Sequence, residues 1–180
     1  MTTQQLGTSR ATRFATRLAL LCTGLLAGTF GYGAVNLVTT FNVVPLDVRL
    51  TFHSALMRVN GPVVQTTMAL AVIGSIALAV LTRGGARRAA AAASALVVTS
   101  FLVTRFGNVP INGLIKQWAV TTPPADHADV LQRWEAFNLV RTLTALAAFV
   151  LVVWIATRSR PGAPDGQKAS AIGVSPEISS

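Results

Sequence analysis

The sequence contains few residues of the kinds that build disulfide-bonded domains or protein metal centres. Its 180 residues include one cysteine, two histidines and six acidic residues. One cysteine excludes an intrachain disulfide and a CxxC redox pair, and Cys22 lies inside an apolar run, where a small packing role is the natural interpretation. No H-x-x-x-H, E-x-x-H or CxxC spacing occurs, so the sequence predicts no metal site and no cofactor.

Charged residues are also scarce, and their placement argues against nucleic acid as a partner. Only 12% of the residues are charged, although the formal net charge is +9. The Lys and Arg residues stand at the ends of apolar runs rather than along one face, which is the pattern of membrane proteins. We therefore expect the lipid bilayer, and no nucleic acid, as the partner of these basic residues.

What the sequence has in excess is apolar residues. They make up 52% of the chain, and the mean hydropathy is +0.56. Apolar runs of about 20 residues can cross a bilayer as helices, and four such runs occur, at 18–41, 62–82, 89–106 and within a helix expected over 127–157. The sequence predicts an all-α fold, a polytopic membrane four-helix bundle.

Three regions are expected along the chain. A basic cytoplasmic N-terminus (1–17) precedes the four-span membrane domain (18–157), and a disordered tail rich in Pro, Gly and Ser (158–180) follows it. With the N-terminus inside, nine of the 15 basic residues fall on the inner side, so we expect a multi-pass protein of the cell membrane with both termini cytoplasmic.

Prolines mark three expected helix boundaries. Pro45 can open, and Asn60-Gly61-Pro62 can close, a short amphipathic helix between the first two spans. Its apolar face consists of Val48, Phe52, Leu56 and Val59, and Arg49, His53 and Met57 fall on a neighbouring face. Such a helix is expected to lie on the bundle end or the membrane surface. Pro110 is expected to end the third span.

Polar residues gather near the outer ends of the four spans, and two interpretations of them remain open. One is a ligand pocket that opens outward; the other is hydrogen bonding between helices together with charges that reach the headgroups. Glu135 is expected to contact Asn138, three residues away on the same helix. The residues concerned are Asn36, Gln65, Arg105, Asn108, Asn138 and Arg141.

Three segments carry a family resemblance: NVPINGLIKQW (108–118), PPAD (123–126) and LQRWEAFNLVRT (131–142). They resemble the signature of the anthrone-oxygenase-like family of small integral membrane proteins, largely a domain of unknown function. The first half of the chain matches more loosely, and His127 stands where the family often has an aromatic residue. The matching positions are Asn108, Pro110, Asn112, Trp118, Arg133, Trp134, Glu135, Asn138, Arg141 and Thr142.

The resemblance implies a four-helix membrane fold and, in the characterised branch, cofactor-independent oxygenation of an anthrone to an anthraquinone. This makes the protein a candidate monooxygenase for a hydrophobic, polycyclic phenolic substrate. The competing interpretation is a non-enzymatic accessory or a lipid- or small-molecule-binding membrane protein, and the sequence leaves the choice open.

Site roles follow from the implied chemistry. Arg141, with Asn138 or Asn112, is expected to stabilise an enolate oxygen. Glu135 or His53 is the candidate base. The remaining candidates for substrate binding are Asn108, Trp118 and Trp134, of which either tryptophan can stack on the rings or serve as an interface anchor.

Overall fold

The computed structural model describes residues 9–158, and within that range the chain is entirely helical apart from its links. Two π-helical turns, Gly33–Leu37 and Thr104–Asn108, join α1 to α2 and α4 to α5 without a break, so the six helices form four long rods. The helices are α1 (Arg10–Tyr32), α2 (Val38–Val43), α3 (Leu46–Leu81), α4 (Gly84–Val103), α5 (Val109–Trp118) and α6 (His127–Arg158).

The four rods pack in a ring. Helix α1 contacts α3 and α6, and α4 contacts the same two helices from the other side. Only residues 44–45 and 82–83 separate the first three rods, and links this short require antiparallel neighbours. Each rod is long and apolar enough to cross a membrane. The predicted all-α four-helix bundle is therefore confirmed, and the chain is a multi-pass membrane protein.

Small residues fill the centre of the bundle and large apolar residues cover its outside. Ala19, Ala71 and Ala148 have no exposed surface, whereas Ile73 and Val150 are about three-fifths exposed, at 59% and 63%. A Cβ on Gly74 would lie 3.0 Å from the backbone nitrogen of Ala19, so α1 and α3 approach each other closely. This distribution is typical of helices that face lipid, because small interface residues maximise packing where hydrophobic exclusion from water is absent.

The prediction of a separate short amphipathic helix between the first two spans is wrong. Residues 46–61 are helical, but they form the first turns of α3, which runs through Pro62 to Leu81. Their polar and apolar faces also lie opposite to the expectation. Arg49 and His53 face the bundle, at 7% and 0% exposed, while Phe52 is 50% exposed. In lipid, apolar side chains can face outward, and polar ones are stabilised inside the bundle.

Pro110 does not end the third span, contrary to expectation. The rod continues to Trp118, because the π turn before the proline rearranges the backbone hydrogen bonds. The amide of Val109 donates to the carbonyl of Thr104, five residues back. Pro110 then occupies the first turn of α5, where its missing N–H is tolerated.

The last helix agrees with the sequence prediction, whereas the first helix begins earlier than predicted. The long last helix, predicted over about 127–157, is confirmed by α6. Helix α1 begins at Arg10, within the segment assigned to the N-terminus, and the Ser9 side chain accepts a hydrogen bond from the Thr12 amide. Residues 1–8 and 159–180 lie outside the described range, so the disordered tail stays a prediction.

Substituting Gly107 with Ala is expected to destabilise the bundle. A Cβ at this position would lie 2.7 Å from Cγ of Phe137, too close for any side chain. Forcing the ring aside should cost about 1–3 kcal/mol of the unfolding free energy. The midpoint of thermal unfolding in detergent should fall accordingly. Gly113→Ala, in the same rod with nothing within 4 Å of the new Cβ, is the matched control. Equal midpoints for the two variants would contradict this packing.

Candidate functional site

A cavity of about 80 Å³ lies between the rods, in the half of the bundle away from the described chain ends. All four rods contribute to its wall, which is mostly apolar and includes Phe30, Leu37, Phe41, Val64 and Trp134. The polar residues of the wall include Asn60, Gln65, Thr104, Asn112, Asn138 and Arg141.

Both π turns border this cavity. Gly33 and Leu37 come from the first turn and Thr104 from the second. A π turn adds a residue to one turn of helix and re-aims the side chains around it, and such turns are frequent at functional sites. The second turn also places Gly107 and Asn108 in the interior. The local irregularity of two helices thus shapes the cavity.

Arg141 places a cation in the cavity wall. Its Nε and Nη2 donate to Oδ1 of Asn138 over 3.0 and 2.7 Å. The guanidinium carbon lies 4.4 Å from the ring centroid of Phe30. No carboxylate within residues 9–158 pairs with it. A cation in such surroundings is costly unless it is well paired, so it provides a strong attraction for an anionic group that enters the cavity.

Trp134, Asn112 and His53 form a hydrogen-bonded chain next to the cavity. The indole Nε1 of Trp134 donates to Oδ1 of Asn112 over 2.8 Å, and Nε2 of His53 lies 3.1 Å from the same oxygen. An indole N–H can only donate, so the atom facing it must be the amide oxygen. His53 must therefore donate from Nε2. Its Nδ1 is buried and has no partner among residues 9–158.

Two aromatic rings enclose the imidazole of His53. The ring of Phe41 stacks on it with centroids 5.0 Å apart, and the indole of Trp134 meets it edge-on at 4.5 Å. His53 itself does not line the cavity, but Phe41, Asn112 and Trp134 all do. The imidazole thus lies directly behind the cavity wall.

Asn108 serves the packing of the helices. Its Nδ2 donates to the carbonyl of Trp134 over 3.1 Å, which joins the second π turn to α6. Asn108 is fully buried and does not line the cavity. Asn108 thus bonds helices together, as one of the two interpretations predicts, whereas Asn138 and Arg141 line the cavity, where a ligand site stays a prediction.

Glu135 lies in a second, more polar cleft. Its Oε1 pairs with Nη2 of Arg49 over 2.8 Å, and Nη1 of Arg49 donates to Asn42 over 2.8 Å. The expected contact of Glu135 with Asn138 is therefore wrong, because the carboxylate finds a full charge on α3 instead. This cleft has a volume of about 460 Å³, and His127 and Phe41 also line it.

Other sequence candidates lie away from the cavity. Trp118 is buried in an apolar cluster with Ile115 and Leu131, so of the two candidate tryptophans only Trp134 lines the cavity. Asn36 and Arg105 are exposed and do not line it. The His, Cys, Asp and Glu side chains within residues 9–158 form no group of three that can hold a metal ion.

Sequence reasoning missed three residues that support the site. Phe41 and Phe30 had no signal that set them apart from other apolar residues of the first span. Arg49 did have one, because it stands four residues before His53 on one helical face. That face points inward, and its polar residues find partners on α6 and α5.

Removing the Glu135 charge is expected to destabilise the protein by leaving Arg49 buried without its counter-ion. Glu135→Gln should lower the unfolding free energy by about 3 kcal/mol. Arg133→Gln, an exposed position on the same helix, should change it by less than about 0.5 kcal/mol. Denaturation in detergent measures both. The double variant Arg49→Gln/Glu135→Gln should lose less than the sum of its single variants, and strict additivity would contradict the pairing.

One of three comparisons with known proteins found a match. The sequence profile of the anthrone oxygenase family matches residues 49–151. No curated protein and no solved structure matches the chain. The matched segment begins at Arg49 and includes His53, Asn112, Trp134 and Arg141. Because the match covers more than half of the 180 residues and contains most of the site, the chain belongs to the anthrone oxygenase family.

Proposed function

We propose that this protein is a monooxygenase that converts an anthrone-like polycyclic phenol to the corresponding quinone with O₂ inside the cavity. The observation that carries the proposal is Arg141, a cation without a carboxylate partner in residues 9–158, facing an apolar cavity. An apolar cavity with a cation in its wall favours a flat, apolar ligand that can carry a negatively charged oxygen. Family membership supports the same substrate class.

The reaction requires little from the protein besides binding, proton transfer and charge stabilisation. An anthrone is a carbon acid, and loss of a proton from its methylene carbon gives an enolate. The enolate carbon reduces O₂ by two electrons and becomes a peroxide. Loss of water from the hydroperoxide leaves the quinone, so one anthrone and one O₂ give one quinone and one water.

Arg141 is suited to hold the enolate oxygen. Asn138 fixes two of its N–H groups by accepting both, which orients the guanidinium before any substrate arrives. A pre-oriented donor stabilises developing charge without reorganising, especially where water is excluded. The wall formed by Trp134 and Phe41 offers aromatic surfaces to the rings.

The size of the cavity limits how the substrate lies. Its volume of about 80 Å³ is below the roughly 300–1,000 Å³ of pockets that enclose a drug-sized ligand. The cavity can thus enclose the oxygen-bearing edge of a polycycle, with the remaining rings between the helices. A substrate that partitions into the bilayer fits this arrangement, since the surrounding helix surface is apolar.

Replacing Arg141 with Met should remove the stabilisation of the enolate while keeping much of the side-chain volume. With 1,8-dihydroxyanthrone as substrate and purified protein in nanodiscs, kcat/KM for O₂ uptake should fall about 10²–10³-fold. Arg105→Met removes an exposed cation outside the cavity and should leave the rate unchanged.

Two results would contradict the proposal. One is wild-type protein that consumes O₂ no faster than empty nanodiscs, and the other is full activity in Arg141→Met. Quenching of tryptophan fluorescence by the anthrone without O₂ uptake would instead support the non-enzymatic alternative, a small-molecule-binding membrane protein.

We also propose that both termini are cytoplasmic, which places the cavity in the outer half of the membrane. The basic residues near the described ends and in the 82–83 link support this orientation. A fluorescent-protein fusion after residue 180 should fluoresce in a bacterial host, and an alkaline phosphatase fusion there should be inactive. Active phosphatase at the C-terminus would reverse the orientation.

A further inference from the structure

We propose that His53 is the base of the reaction, and that Asn112 and Trp134 are positioning residues that present its Nδ1 as the proton acceptor. This assignment rests on the proposed function and names the group that moves the substrate proton. It starts from Nδ1 of His53, which is one of four buried side-chain atoms without a hydrogen-bond partner among residues 9–158 and the only imidazole nitrogen among them.

The tautomer of His53 follows from the indole N–H of Trp134, which can donate a hydrogen bond but cannot accept one. The Trp134 N–H orients the Asn112 amide so that Oδ1 faces both the indole and the imidazole. His53 therefore carries its proton on Nε2, and the lone pair of the neutral imidazole is on Nδ1. Burying a hydrogen-bond acceptor without a partner lowers the stability of the fold. We therefore infer that this nitrogen is kept for its function.

Among residues 9–158, no carboxylate lines the cavity and competes for the role of base. Glu135 lines the second cleft and is paired with Arg49 at 2.8 Å. Asp47, Asp126 and Asp129 are exposed and do not line the cavity. His53, by contrast, contacts three residues of the cavity wall through one hydrogen bond and two ring contacts.

Phe41 packs on one face of the imidazole, and it also lines both the cavity and the polar cleft. The proposal requires this side chain to move when the substrate binds, so that the C–H group can approach Nδ1. Phenylalanine makes no hydrogen bond, so the movement costs ring contacts and the cation–π contact with Arg49.

The proton balance of the reaction suits a base that is sealed from water. His53 Nδ1 takes the first methylene proton as the C–H bond breaks, and it returns this proton to the terminal oxygen of the peroxide. It then takes the second proton as the O–O bond breaks and the C=O bond forms, and hydroxide with that proton gives water. The two electron pairs of the C–H bonds reduce O₂, and no net proton leaves the site.

The first test compares the two histidines of the chain. His53→Gln should lower kcat about 10²–10⁴-fold, the usual contribution of a general base, while the dissociation constant for 1,8-dihydroxyanthrone stays within about twofold. His127→Gln, whose ring bonds to the carbonyl of Pro124 at the start of α6, should leave both values unchanged. Added imidazole should partly restore O₂ uptake in His53→Ala, which distinguishes a missing base from altered packing.

The second test measures the tautomer without any turnover. In ¹⁵N NMR spectra of histidine-labelled protein, His53 should show a protonated Nε2 and an unprotonated Nδ1. Trp134→Phe keeps an aromatic ring but removes the N–H that orients Asn112. It should increase the fraction of the Nδ1–H tautomer and lower kcat at least tenfold with little change in anthrone binding.

The outcomes separate this inference from the function on which it rests. An active wild type together with an unimpaired His53→Gln overturns the assignment of the base and leaves the oxygenase standing. An Nδ1–H tautomer in the wild type overturns it as well, whether or not anthrones are turned over. A wild type that oxidises no anthrone overturns the oxygenase and the base together.

Discussion

Polar side chains inside this bundle must find partners within the protein, because hydrocarbon supplies none. Most of the structure around the cavity follows from that constraint. Arg49 pairs with Glu135 across 86 residues of sequence, Arg141 binds Asn138, and Asn112 accepts from both Trp134 and His53. The Arg141–Asn138 contact lies within α6, but the other contacts each fix one rod against another, so the polar groups help to define both the geometry of the site and the register of the bundle.

The exceptions to this satisfaction lie in the same half of the bundle as the cavity. Nε of Arg49, Nδ1 of His53, Oγ of Ser54 and Oδ1 of Asn108 are buried without partners among the described residues, and Arg141 has no carboxylate there. Unsatisfied polar groups and a cation without a counter-ion lower stability. In the proposed reaction, which takes a proton and holds a negative oxygen, the same groups are useful. The alanine-rich half of the bundle instead has a continuous apolar core.

The sequence predicted the architecture well, because four apolar runs of sufficient length allow few other folds. It also identified several of the polar residues at the end of the bundle that holds the cavity. It did not predict which way some side chains point or which residues they pair with on other helices. The apolar face of residues 46–61 suggested a surface helix, yet in lipid such a face can point outward, and Arg49 and His53 then point in. The π turn before Pro110 could not be predicted from spacing, because its cost is met by tertiary contacts such as Gly107 against Phe137. The sequence places Glu135 within reach of Asn138 on the same helix, whereas its partner in the structure is Arg49 on α3.

We propose that Arg141 and its surroundings bind the substrate as an enolate. The most direct measurement is the absorption spectrum of 1,8-dihydroxyanthrone bound to the protein without oxygen, at a pH where the free compound is neutral. We expect the red-shifted spectrum of the anthrone anion in wild-type protein and the neutral spectrum in Arg141→Met. A neutral spectrum in the wild type, or an anionic spectrum in both proteins, would contradict it.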